Sequence, residues 1–79
     1  MELHENLIRL RTEHGFSQEA VAKAVNVKGR TYQNYEYGIR VPLLPTLIAL
    51  ADLYDISLDE LVCRDWRGRT VGPDAHIGA

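Results

Sequence analysis

The apolar residues of this chain recur at helical spacing in five separate runs, and none of the runs alternates as a strand would. Leu3, Leu7, Leu10 and His14 stand three or four residues apart, and Gly15 follows as a stop. Ser17 suits an N-cap, and Glu19 falls in the first turn, where the helix dipole favours an acid. Behind it, Ala20, Val21, Ala24 and Val25 predict the inner stripe of a second helix, with Lys23 outward. "NVKG" at 26–29 breaks the pattern for about four residues. A third helix is predicted over about 29–37, ended by Gly38. "IRVPLLP" is a loop, because Pro42 and Pro45 rule out a continuous helix there. Pro45 suits the first turn of a fourth helix, with Leu47, Leu50, Ala51 and Tyr54 inward and Asp52 and Asp55 in water. "SLDE" at 57–60 is a capping box, in which Ser57 caps and Glu60 reaches back. It opens a fifth helix with Leu58, Leu61 and Val62 inward.

From Arg64 onward the periodicity is lost. The expected division is a helical domain over 1–64 and a tail over 65–79, flexible or associated with a dimer contact. Two helices joined by a four-residue turn inside an all-α bundle describe a helix-turn-helix.

The third helix carries two different faces. Tyr32, Tyr35 and Glu36 share one of them, and their bulk directs it to the core. Arg30, Gln33, Asn34 and Tyr37 share another. Arginine can grip guanine in a bidentate way, and glutamine or asparagine can do so with adenine. A polar face is also what any exposed helix shows, but here it lies on the second helix of a helix-turn-helix. An inward acid at Glu36 needs a partner. Arg11, near the end of the first helix, is the candidate; the alternative is a solvated glutamate at the rim.

Charge changes this picture only locally. The 79 residues carry a net charge of −2, which by itself argues against a polyanionic partner. Residues 23–40, however, hold Lys23, Lys28, Arg30 and Arg40 against Glu36 alone, while 41–62 hold Asp52, Asp55, Asp59 and Glu60 and no base. A basic surface can bind nucleic acid on an otherwise acidic molecule. Hydrophobic residues at 46% and charged residues at 25% are ordinary for a globular domain. At this size one core is marginal, so close helix packing or a dimer partner is expected. Cys63 is the single cysteine, so no internal disulfide forms and a reducing, cytoplasmic setting is expected. The start, "MELHENLIRLR", is too acidic for a signal peptide, and no apolar run approaches a membrane span.

Other chemistry finds little support. His4, His14 and His76 lack metal-ligand spacing, and Cys63 has no neighbouring histidine in sequence to activate it. Neither "GIRVP" nor "RGRTVG" fits a nucleotide-binding loop. The expectation is therefore no catalytic residue, metal, cofactor or small-molecule ligand. Trp66 can pack back on the bundle or enter a dimer contact, and "RGR" at 67–69 can act as an arm on a DNA backbone.

The order and spacing of several short motifs carry a resemblance. They are "LR" at 10–11, "GFSQEAVA" at 15–22, "YQNYEYG" at 32–38, Pro42, "TLIALADLYDIS" at 46–57 and "LDEL" at 58–61. Together they resemble the Cro and phage-repressor-like helix-turn-helix family, the XRE family, over about residues 5–62. The resemblance implies a compact five-helix bundle of the lambda-repressor-like DNA-binding type. It implies that Gln18 bonds a DNA phosphate and braces the recognition helix. Lys28, Gly29, Arg30, Gln33 and Asn34 correspond to the part facing the major groove, and Arg11 and Glu36 to a structural ion pair. Gly38, Ile39 and Arg40 correspond to a loop that meets the DNA backbone.

This chain departs from the family in three places. Lys28 replaces a Ser or Thr N-cap, a loss of about 0.5–2 kcal/mol, and can instead reach a phosphate. Gly29 offers no side chain to a base. Ile39 stands where a base is frequent.

The resulting expectation is a sequence-specific DNA-binding regulator. Arg30, Gln33, Asn34 and Gly29 would sit at the bases, and Gln18, Lys28, Arg40 and Gly38 at phosphates. It would work as a homodimer on a palindromic operator. The rival expectation is an antitoxin-like or regulatory module that uses the same fold to bind a protein partner, for which the acidic fourth and fifth helices would suit a basic surface.

Overall fold

The computed structural model describes residues 2–63, and Met1 and 64–79 lie outside them. The expected domain boundary at 64, the tail and the two roles considered for Trp66 and for 67–69 therefore fall outside the described residues. Five helices follow in order: α1 (Leu3–Glu13), α2 (Gln18–Ala24), α3 (Gly29–Tyr37), α4 (Leu44–Tyr54) and α5 (Leu58–Leu61). The described residues form no strand.

Local chemistry sets the helix ends. Ser17 Oγ accepts from the Ala20 amide at 3.0 Å, and Ser57 Oγ accepts from the Glu60 amide at 3.1 Å. Glu60 answers by accepting from the Ser57 amide at 3.3 Å. Lys28 occupies the N-cap of α3 without a side-chain bond to the helix. Gly38 ends α3 in the left-handed conformation at φ 77°, and the Ile39 amide folds back to the Asn34 carbonyl at 3.0 Å. The turn between α2 and α3 spans Val25 to Lys28. Its sharp point is Asn26, left-handed at φ 60°, a conformation asparagine tolerates better than most residues. The Val27 amide then bonds the Ala22 carbonyl at 2.9 Å and fixes the direction in which α3 leaves.

α3 packs on both α1 and α2, while α4 and α5 pack on each other and α5 returns to α1. The core comprises Leu7, Leu10, Val21, Ala22, Val25, Tyr32, Tyr35, Leu50, Ala51, Tyr54 and Leu61. Two inward stripes differ from the periodic expectation. In α2 the buried residues are Val21, Ala22 and Val25, whereas Ala20 and Ala24 are exposed. Alanine-rich sequence fits more than one helix rotation, and contact with α3 selects this one. In α5 only Leu61 is fully buried, because a single turn presents few positions to the bundle; Leu58 stays exposed and Val62 half-buried.

A buried polar residue with no obvious periodic signal joins α1 to α5. Asn6 donates from Nδ2 to the carbonyls of Glu60 at 3.1 Å and Leu61 at 2.9 Å. It thereby supplies a donor to the Leu61 carbonyl at the end of α5 and a second one to the Glu60 carbonyl, which also accepts from the Cys63 amide at 3.3 Å. Its Oδ1 accepts from Arg9 Nε at 2.9 Å and Nη2 at 2.7 Å. All its polar valences are thus used inside the fold.

Candidate nucleic-acid interface

The site begins with a carboxylate buried to 3% exposure, Glu36 on the inner face of α3. Arg11 reaches it from α1, with Nε to Oε2 at 2.6 Å and Nη2 to Oε1 at 3.2 Å, a two-pronged pairing. The remaining Arg11 nitrogen, Nη1, donates to the Phe16 carbonyl at 3.0 Å. Tyr32 donates its hydroxyl to Glu36 Oε2 at 2.5 Å, one helical turn earlier on the same face. Gln18, from the first turn of α2, donates Nε2 to Oε1 at 3.0 Å. One carboxylate therefore ties α1, α2 and α3 together.

The electrostatics follow from this arrangement. Burial works to raise the Glu36 pKa. Hydrogen bonds from Arg11, Tyr32 and Gln18 outweigh it and hold the carboxyl below its ordinary value. The Glu36 bond in turn raises Arg11 against the effect of burial. Burial, then the bond to Glu36, pushes the Tyr32 hydroxyl well above its usual range. Burial also pushes Tyr54 up to about 12, with the Glu36 charge adding to it. Glu36 is thus ionised and internally neutralised at neutral pH. Within 23–40 the exposed charges that remain, Lys23, Lys28, Arg30 and Arg40, are all positive.

The network continues outward to the polar face. Gln33 on α3 donates Nε2 to Gln18 Oε1 at 3.4 Å. Gln18 is half-buried, and one of its two amide hydrogens is not engaged by Glu36, leaving a donor for a further acceptor. Ser17, Gln18, Glu19, Gly29 and Gln33 line an open hollow where the first turns of α2 and α3 meet. Arg30 is exposed beside it, and Gln33 and Asn34 are half-buried at the same surface. The structure thus brings Gln18, Gly29 and Gln33 to one hollow.

Gly29 and Gly38 differ in what the fold asks of them. A Cβ added at Gly29 would meet nothing within 4 Å, and its backbone is ordinary helix, so the protein's own packing does not require glycine there. At Gly38 the left-handed backbone favours glycine, and an added Cβ would stand 3.4 Å from the His4 ring on α1. That ring backs the loop carrying Arg40, which is exposed. Gly38 and Arg40 line a second hollow with Glu2, Leu3, His4, Tyr35 and Val41, so these two expected phosphate residues stand at the opposite end of α3 from Lys28.

Sequence reasoning missed Asn6, Asn26 and the reach of Gln18 to Glu36. Asn26 alone had a readable signal, an asparagine directly after an apolar helical run. Among the described residues no group of three or more His, Cys, Asp or Glu is placed to hold a metal, and no helix is long and apolar enough to cross a membrane.

Two consecutive helices joined by a tight four-residue turn, the second packed across the first and presenting a cationic, amide-rich face, define the helix-turn-helix class. The helix-turn-helix family profile matches residues 7–61, and the chain belongs to that family, in its Cro and phage-repressor-like (XRE) branch. It is 36% identical over 66 residues to the HTH-type transcriptional regulator AnsR of Bacillus subtilis, covering 84% of this chain and 57% of that protein. It is 42% identical over 53 residues to the cryptic phage CTXphi transcriptional repressor RstR of Vibrio cholerae, covering 67% of this chain and 48% of the repressor. A solved transcriptional regulator from Listeria innocua superposes with a TM-score of 0.80 at 35% identity, covering 98% of this chain and 69% of that one. The chain spans about half the length of the curated relatives it matches.

Proposed function

We propose that this protein is a sequence-specific DNA-binding transcriptional regulator, with α3 in the major groove. The carrying observation is the Arg11–Glu36–Gln18–Gln33 chain of hydrogen bonds, which fixes α3 against α1 and α2 and leaves its cationic face outward. Arg30, Gln33 and Asn34 read bases, and at Gly29 the bare backbone lets the base edges come close. Gln18, Lys28, Arg40 and the Gly38 loop hold phosphates and fix the register. The names of the related regulators and repressors support the same reading. One such module touches few bases, so the protein works as a homodimer on a two-fold operator, with half-sites about 34 Å apart.

Selection from random duplexes tests this directly. The expected result is an enriched palindromic motif, bound with an affinity that falls steeply as salt rises. Arg30→Ala is expected to relax preference at one base pair per half-site, at a cost of about 1–3 kcal/mol. No enriched motif, together with weak binding indifferent to salt, would refute the reading and favour a protein partner at the same fold.

A further inference from the structure

A glutamine at a base edge is by itself an indifferent reader. A half-turn of its amide exchanges the carbonyl oxygen for the NH2 group, so one side chain suits either of two bases. With the oxygen and one hydrogen outward it matches adenine, which offers the N6 amino donor beside the N7 acceptor. With the NH2 outward it suits guanine, whose O6 and N7 are both acceptors. The surroundings of Gln33 remove this freedom. Glu36 is ionised and 3% exposed, so it can only accept. The Gln18 group 3.0 Å from Glu36 Oε1 is therefore the Nε2 amide, since the other orientation would set oxygen against oxygen. Gln18 Oε1 is thereby turned to Gln33, and the atom that meets it at 3.4 Å must again be a donor, Gln33 Nε2. Gly29, one turn earlier on the same face of α3, has no side chain and leaves open the hollow that it lines with Gln18 and Gln33.

We propose that Gln18 is a positioning residue that passes the polarity of the buried Glu36 carboxylate outward to Gln33, and thereby restricts Gln33 to adenine. The inference rests on the reading of α3 as the element in the major groove. A primary amide can meet both demands at once. The Nε2 hydrogen lying away from the Gln33 oxygen goes to Gln18, while the oxygen and the nearer hydrogen stay free as a two-point acceptor and donor face. Turning that face for guanine would break the bond to Gln18 and bring two carbonyl oxygens together. A hydrogen bond to a charged acceptor weights Gln18 by about 10-fold or more towards the orientation it has, and a neutral bond weights Gln33 by about 2- to 10-fold. The link to Glu36 is the firmer one, so discrimination is kept or lost at the link between the two glutamines. Gln18 still has the second Nε2 hydrogen for a phosphate, so one side chain serves both contacts. Arg30, exposed beside the hollow, carries donors only and needs no such device. A carboxylate in the core is in this way felt at one base pair of each half-site.

The test has two arms, both on the full chain. In the free protein, the Gln33 side-chain amide is followed by proton–nitrogen correlation NMR. Its two Nε2 hydrogens are expected to exchange with water at different rates, and Gln18→Met is expected to shift the pair and erase the difference. The Asn6 amide, bonded to the Glu60 and Leu61 carbonyls, marks that the fold is kept. A Gln33 signal that Gln18→Met leaves in place overturns the proposal. On DNA, binding to the selected duplex is compared with binding to duplexes changed at one base pair. Gln33→Ala identifies the pair that Gln33 reads, as the one whose preference it removes. At that pair wild type is expected to prefer adenine to guanine, and Gln18→Met is expected to narrow the ratio by about 3- to 10-fold. Gln18→Met also weakens every duplex by a common factor through its lost phosphate contact, which the ratio does not register. A ratio that moves by less than about twofold while all duplexes weaken makes Gln18 a phosphate anchor alone and overturns the proposal. So does a guanine preference at that pair in wild type, or a Gln33→Ala variant that loses no preference anywhere. Gln33→Ala keeps the bond between Gln18 and Glu36, so the adenine arm stands even where Gln18→Met melts. Selection that enriches no motif sinks the DNA-binding reading by itself, and the NMR arm then still decides whether Gln18 orients Gln33.

Discussion

Removing the Arg11 guanidinium should do more damage than removing the Glu36 charge, although the two form one pair. Arg11→Met keeps the length of the stem and deletes the charge. Glu36 is then left with 2% side-chain exposure, still bonded by Tyr32 and Gln18 but without its counter-ion. Orphaning one member of a buried pair costs about 3–5 kcal/mol. The low end applies, because two hydrogen bonds survive and the Arg11 side chain is 19% exposed to begin with. For a domain of this size about 3 kcal/mol corresponds to a fall in Tm of about 12–24 °C. Glu36→Gln leaves Arg11 its access to water and its bond to Phe16, and should cost only about 1–2 kcal/mol. The double variant removes both charges and should be more stable than Arg11→Met alone.

The dependence on pH separates charge from shape. In wild type the folded Glu36 pKa lies below its ordinary value of 4.5. Its contribution is therefore fully present above pH 4.5 and is lost as pH falls through the lowered folded value. In Arg11→Met burial dominates and raises the folded pKa, so the variant gains stability on protonation as pH falls. The deficit relative to wild type should shrink between pH 7 and about pH 4. Urea unfolding followed by circular dichroism at 222 nm, with both proteins at both pH values, measures it. A deficit under about 1 kcal/mol at pH 7, the range of a surface ion pair, would refute the reasoning. So would a deficit unchanged at pH 4.

Three further outcomes follow from the same geometry. Asn6→Ala should cost about 1–3 kcal/mol in thermal or urea melts, because it strips the buried Leu61 carbonyl of its amide donor and removes one of the donors to the Glu60 carbonyl; an unchanged melt would mean water replaces it. Lys28→Ser should stabilise the protein by about 0.5–2 kcal/mol by supplying the missing cap of α3. It should also weaken DNA binding and reduce the salt slope by about one; a stability gain with undiminished binding would remove Lys28 from the phosphate contacts. Gly29→Ala, at a site open to a methyl group, should stabilise the fold by about 0.4–1 kcal/mol while weakening the selected duplex; tighter binding would show that the backbone does not approach the bases.

The sequence by itself determined the elements, because their signals are local. Ser17, Ser57 and Gly38 end helices through bonds made within a few residues, and the 3.6-residue period of the leucines and tyrosines exists before any packing. It also separated the two faces of α3, since Tyr32, Tyr35 and Glu36 differ so plainly from Arg30, Gln33 and Asn34. Tertiary structure decided whatever depends on partners distant in sequence. Small side chains cannot orient a helix, so contact with α3 chose Val21, Ala22 and Val25 as the buried stripe of α2 and left Ala20 out. An asparagine in a helix reads as a surface residue, and only the return of α5 made Asn6 a buried cap 54 residues away from its carbonyl partner Glu60. The two prolines of "IRVPLLP" marked a loop without saying which of its side chains are covered. There only Pro42 is buried, and Val41 and Leu43 on either side of it stay in water.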